Sequence, residues 1–401
     1  MLRRIFKAFS YPDFRLWWVG AFTSSIGTWM QKVAQSWLVL EITKSPFLLG
    51  LDSFLGDIPI LLFSLLGGVV ADRMDRRHLL ILSQVAQLSC AFLLAALIAL
   101  GGVKIWQILT LSFIVGTAQA FGGPANQALV PSLVKQEDLP NAIALQSIQF
   151  NLARVIGPAL GGIAFTSLGY VWCFSLNGVS YVAVIVSLLL LTHKFIPMKA
   201  TVSVLTSMRE GIGFIRNQKA MVALIVLAFC MTMLGVPLLT FLPVFAKDVF
   251  HSGPSTFTTL LSISGAGAVT GALIVAALGN IANKGRAVLM MLTFLGGSIA
   301  AFALSKSLIL SGVILFIAGI ALVAVFAMMS SLVQLITVNE MRGRVMSVYN
   351  VAFRGGMPIG SLLTGWLVPI FSAPTVLAVN GVLLFALGLY YLLVQREVAE
   401  L

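Results

Sequence analysis

From residue 14 to residue 396 the chain is a succession of apolar runs, most of 20 residues or more, separated by short polar or Gly/Pro-rich breaks. A helix needs ~17 to 25 such residues to cross a bilayer, and an isolated segment satisfies its own backbone there only as a helix. The runs fall at 14–41, 47–72, 77–100, 105–125, 139–168, 170–193, 219–247, 254–279, 286–304, 308–337, 343–372 and 374–396. Twelve runs predict an all-α polytopic membrane protein. With only 9% charged residues and a mean hydropathy of +1.03, no polar surface remains for a soluble domain.

A formal charge of +12 raises the question of a nucleic-acid partner, and placement answers it. With the N-terminus inside, cytoplasmic segments hold 18 of the 25 Lys and Arg, outer loops hold four (Lys44, Lys104, Lys247, Lys306), and three lie within spans. That asymmetry is the positive-inside rule, so both termini are expected in the cytoplasm and no nucleic acid is implied. The opening MLRRIFKAFSYPDF runs into the first span without a small-residue cleavage site, and no removable leader is expected. Cys90, Cys173 and Cys230 fall inside spans and read as small apolar fillers rather than a disulfide framework.

The polar stretch from Thr192 to Lys219 divides six spans from six. It sets an N-terminal half at 1–193, a cytoplasmic linker at 194–218 with a short amphipathic helix around MREGIGFIRN, and a C-terminal half at 219–401. An internal repeat supports the division: Arg154 and Pro158 recur as Arg354 and Pro358, and Gly68 with DRMDRR is echoed by Gly279 with IANKGR. No GxxxxGK[ST], GxSxG or HExxH occurs, and His78, His193 and His251 are scattered, so no enzyme, metal site or cofactor is expected. GAGAVTG at 265–271 lies within a span, where Gly267 and Gly271 suit close helix packing.

An ionisable group at mid-membrane costs about 2.5 to 3.5 kcal/mol on insertion scales and marks a cavity or a partner. Lys32 and Asp57 each stand about twelve residues from the turn joining spans 1 and 2, which at ~1.5 Å per residue places both roughly 18 Å from the outer end. They are placed to meet as an ion pair, either a static one or one whose carboxylate gains and loses a proton. Asp52, nearer the surface, reads as solvated. Ser24, Thr28, Gln31 and Gln35 form a polar stripe on span 1; Gln146, Gln149, Arg154, Gly157 and Gly161 share an arc of span 5, and Ser347, Asn350, Arg354 and Ser361 one of span 11. Three span cations against one or two carboxylates suit an anionic or zwitterionic guest, unless the arginines bond to carbonyls freed by prolines.

GGVVADRMDRRHLL resembles the loop 2–3 signature of the major facilitator superfamily, G-x-x-x-D-R-x-G-R-[RK], in Gly68, Asp72, Arg73, Arg76 and Arg77, with Asp75 replacing the second glycine. RVIGPALGG, with Arg154, Gly157, Pro158, Gly161 and Gly162, is similar to the span 5 motif of exporters that exchange substrate for protons. The stretch 120–162 and RGRVMSVYNVAFRGGMPIGSLLTG at 342–365 resemble the prokaryotic branch of siderophore (enterobactin-type) and macrolide exporters. The resemblance implies twelve transmembrane helices in two pseudosymmetric six-helix halves (the major facilitator fold) and rocker-switch alternating access. It implies an exporter of amphiphilic small molecules in the inner membrane, a monomer with substrate, proton and lipid bilayer as partners. Proton coupling then falls to Asp57 and Lys32. Spans lining the cavity bring in Gln31, Lys32, Gln35, Gln119 and Asn126 from the first half and Met233, Met328 and Met329 from the second, joined by Arg154 and Arg354. The alternatives are an uncoupled facilitator or lipid translocator of the same fold, and a non-transporting receptor.

Physical chemistry supplies roles for the charged loop. Asp72 is expected near the positive N-terminal end of span 11 and Arg344, while Arg73 and Arg76 reach for Glu137 or Asp138. Such contacts would hold the cytoplasmic side shut.

Overall fold

A chain this apolar has few ways to satisfy its backbone, and every regular element among the described residues is helical. The structure, a computed structural model, describes residues 6–192, 204–279 and 283–401, the side chains of Asp72 and of residues 204–207 excepted. His193, residues 194–203 of the linker and the first residues of IANKGR lie outside the described residues.

The first six long helices are α1 (Pro12–Thr43), α2 (Pro46–Arg73), α3 (Arg76–Ala99), α4 (Ile105–Leu129), α5 (Leu139–Leu168) and α6 (Tyr170–Leu189). An amphipathic helix, Val204–Arg216, precedes α7 (Lys219–Gly235), α8 (Pro254–Leu278), α9 (Lys284–Leu304), α10 (Leu308–Ile336), α11 (Arg342–Phe371) and α12 (Ala373–Leu393). The breaks come where turn chemistry demands them. Gly169 joins α5 to α6 at φ 85°, a conformation that favours glycine. The seventh run is segmented: beyond α7 it continues as Pro237–Thr240, Leu242–Val244 and a π turn at Phe245–Val249. Pro237 and Pro243 each remove a backbone donor there, so one predicted span becomes a chain of short turns.

Among the described residues ten helical stretches are long and apolar enough to cross a membrane. The other two of the predicted twelve, α1 and α11, are long enough at 32 and 30 residues but too polar, α1 carrying Asp13, Arg15, Lys32 and Glu41 and α11 carrying Arg342, Arg344 and Arg354. These are two of the helices on which the sequence places polar stripes.

The helices form two compact units, Met1–Thr43 with Leu55–Thr201 and Lys44–Phe54 with Val202–Leu401. In the first, α1 packs on α5 and α6, and α3 on α4 and α6. In the second, α7 packs on α11 and α12, and α9 on α10 and α12. The same helix pairs recur six positions along, as an internal repeat requires. Small residues make the crossings. A methyl at Gly157 or Gly161 would press into α1 at Trp29 and Met30, and one at Gly356 or Gly360 into α7 between Phe229 and Met233. Gly267 and Gly271 meet the α10 backbone at Phe316 and Ile320 in the same way. Through Pro158 α5 runs unbroken, and Gly157, Pro158, Gly161 and Gly162 are all buried.

Candidate functional site

The charged turn between α2 and α3 is built from helix ends. Asp75 has extended backbone and N-caps α3, its carboxylate accepting from the Arg77 backbone N–H at 2.8 Å while His78 Nδ1 lies 3.2 Å from its other oxygen. The aspartate that departs from the superfamily pattern thus satisfies a donor the new helix leaves open. The two arginines reach carbonyls at the far ends of other helices. Arg76 donates to the Ala128 carbonyl in the last turn of α4 at 3.0 Å, and Arg77 to the Leu191 carbonyl beyond α6 at 3.0 Å and to that of Leu189. Such carbonyls lack partners within their helices and carry the negative end of the dipole, which a guanidinium complements.

This arrangement corrects the expected pairing with the loop between α4 and α5. Asp138 is taken by Lys7 at 2.7 Å and by the Tyr11 hydroxyl at 2.8 Å, and Ala8 N–H donates to Asn141 at 2.8 Å. The N-terminal turn Lys7–Ser10 supplies the cation that Asp138 holds. The Asp138 carboxylate, through its hydrogen bonds first, holds the Lys7 ammonium and the Tyr11 phenol above their ordinary values. Among the described residues Arg73 and Arg76 make no ion pair with Glu137 or Asp138, and Arg73 and Glu137 are exposed. Gly68 faces open space; it is its neighbour Gly67 that crosses α4, where a methyl would overlap the Ala120 carbonyl. The side chain of Asp72 lies outside the described residues.

The polar stripe of α1 is met by neighbouring helices of its own unit. Gln35 donates to Ser112 of α4 at 2.8 Å, and Gln31 accepts from Asn177 of α6 at 2.5 Å. Thr28 lies 3.1 Å from the Tyr181 hydroxyl, which donates to Gln87 at 3.2 Å; Gln119 donates to the same Gln87 oxygen at 3.3 Å. Asn126 accepts from the Trp17 indole at 3.1 Å. Two cavity candidates, Gln31 and Gln119, are therefore oriented by the buried Asn177, Gln87 and Tyr181, which the sequence did not single out.

Lys32 and Asp57 do not pair within 4.0 Å. Spacing from the turn carries no information on azimuth: Lys32 sits instead over the ring of Trp29, Nζ 5.7 Å from its centroid. Arg154 approaches the same ring, its guanidinium carbon 5.8 Å from the centroid. Two cavity candidates on different helices are thereby brought to one aromatic residue, itself edge-on to Phe150 at 6.2 Å. A cation–π contact is worth about 0.5 to 2 kcal/mol, less than the ~2.5 to 3.5 kcal/mol each cation costs at mid-membrane. Trp29 was missed, although its i, i+3 spacing to Lys32 and the facing glycine motif were both in the sequence. Asp52, read as solvated, is buried at 7% exposure and engaged.

In the second unit Arg344 pairs with Glu210 of the amphipathic helix at 2.8 Å. Met328 and Met329 are buried in the core, Met233 is half-buried against the α11 glycines, and Arg354 is exposed.

A family model described as transmembrane secretion effector matches residues 5–400. Macrolide efflux protein A of Streptococcus pyogenes is 24% identical, the alignment covering 86% of this chain and 87% of that protein. The Enterobactin exporter of Shigella boydii serotype 4 (strain Sb227) is 26% identical over 97% of this chain and 93% of that one. The crystal structure of a bacterial homolog to the human lysosomal transporter Spinster, inward-facing and occupied, matches with a TM-score of 0.76 over 96% of both chains. At 15% identity that likeness is one of fold.

Proposed function

The chain belongs to the transmembrane secretion effector family of the major facilitator superfamily, and we propose that it is a secondary active exporter of amphiphilic small molecules. The family match along residues 5–400 carries this reading, and relatives named for macrolide efflux and enterobactin export support the direction. In this proposal all twelve spans cross the inner membrane with both termini cytoplasmic, α1 and α11 being the polar pair. The chain divides functionally at 1–193, 194–218 and 219–401, and its two halves rock about the substrate as a monomer. Protons flow inward against substrate, with Asp57 as the titrating carboxylate. The excess of Lys and Arg on the proposed inner side supports the orientation.

Reconstitution in proteoliposomes tests it. Inside-acid vesicles should accumulate a labelled neutral macrolide or ethidium faster than vesicles without a gradient. If no amphiphile of any charge moves faster than through protein-free vesicles, the exporter reading fails. A second reading, an uncoupled facilitator or lipid translocator, is favoured by one feature: the carboxylates of α1, Asp13 and Glu41, stand at its two ends with none between. Protein-dependent movement indifferent to the pH gradient would select it.

A further inference from the structure

We propose that Lys32 and Arg154, bracketing Trp29, form the binding site for the oxyanion of an amphiphilic organic anion. The inference rests on the exporter reading and names its substrate class. Two cations on different helices converge on one ring, at 5.7 and 5.8 Å from its centroid. Among the described residues neither has an ion-pair partner within 4.0 Å, Asp57 included, and no hydrogen bond ties Arg154 to a carbonyl loosened by Pro158. One π-face is a weak counter-charge for two cations that repel each other, whereas a carboxylate offers two acceptors to a guanidinium fork and an ammonium together. The exposed Lys32 gives the ligand access.

The site is built into the helix crossing. A methyl at Gly157 would overlap Trp29 Cβ, so the glycine of RVIGP is what lets the indole lie against α5. One turn earlier on α5, Arg154 is thereby brought to the ring. Phe150, another turn back, meets the ring edge-on and extends the apolar wall that an aromatic body can lie along. Headgroup chemistry and body chemistry are side by side, which is what an amphiphilic anion requires.

The test is binding of 2-naphthoate and of its neutral methyl ester to the purified full-length protein, read by isothermal titration calorimetry. The wild type is expected to bind the acid about tenfold or more tightly than the ester, and Lys32→Gln or Arg154→Gln to weaken the acid about tenfold each. Lys32→Arg keeps a charged donor for the carboxylate and is expected to retain more affinity than Lys32→Gln. Equal binding of acid and ester by the wild type overturns the proposal without reference to any variant, as does undiminished acid binding by both Gln variants. The parent reading fails differently. If proteoliposomes move a neutral macrolide or ethidium while the acid shows no preference over the ester, the site is wrong and the exporter stands. If naphthoate binds through both cations yet no amphiphile is moved, the exporter reading fails and the site stands.

Discussion

Asp75 accepts the Arg77 backbone N–H and lies beside His78, so its carboxylate closes the first turn of α3. Removing it by Asp75→Ala should destabilise the protein by about 1 kcal/mol, while Asp75→Asn, an equally good cap, should stay within a few tenths of wild type. Thermal unfolding in detergent reads both; an Asn variant as weak as the Ala variant would mean that charge, not capping, matters here. A neighbouring pair separates motif from packing. Gly67 crosses the α4 backbone at Ala120, whereas Gly68 faces open space. Gly67→Ala should therefore cost about 1 to 3 kcal/mol and Gly68→Ala no more than ~0.5 kcal/mol. The sequence drew attention to Gly68 because the resemblance runs through it. Which of two adjacent glycines faces a neighbour depends on helix azimuth, and periodicity in a span that is apolar all round does not reveal it. The same limit hid the true partners of Asp138 and Arg76: charges were legible, and their competition for helix ends was not.

The helices themselves were largely legible, because a span is defined by length and apolarity, which sequence states directly. Predicted runs such as 14–41 and 343–372 become Pro12–Thr43 and Arg342–Phe371. Where proline density rises the reading loosens: Pro237 and Pro243 turn the seventh run into four pieces. Polar stripes were legible as stripes, but their direction required neighbours. On α1 the stripe meets Ser112, Asn177 and Tyr181, so it ties α1 to α4 and α6 through uncharged hydrogen bonds. The α5–α1 crossing is the element that brings the two cations to Trp29. Its glycines leave no room for a side chain: a methyl on Gly157 would meet Trp29 Cβ and the Ile26 carbonyl, atoms that cannot swing away. Gly157→Ala should then lower unfolding stability by about 1 to 3 kcal/mol, and Gly356→Ala, facing Thr232 and the Phe229 carbonyl across α7, should do the same. Matching losses at the two positions would mark the crossing as one device used twice; a neutral Gly356→Ala would confine it to the first unit.

At the scale of the whole molecule, the proposed proton coupling turns on one carboxylate. A coupling group has to change protonation during the cycle, and a carboxylate locked to a fixed cation resists that because the pair holds it ionised. Asp57 is half-buried on α2 and, among the described residues, has no cationic partner within 4.0 Å, Lys32 being drawn to Trp29 instead. The ion pair expected from depth would have argued for a structural Asp57; without it, the proposed coupling role is the one to test. In proteoliposomes, Asp57→Asn should abolish the acceleration of substrate uptake by an inside-acid gradient while leaving exchange of labelled for unlabelled substrate across the membrane within about twofold of wild type, since exchange needs the moving halves and not a net proton. Lost exchange together with lost gradient response would place Asp57 in the structure of the helix rather than in coupling. An unchanged gradient response would remove it from the proton path altogether, and coupling would then have to be sought at another carboxylate, the buried Asp52 of the same helix first.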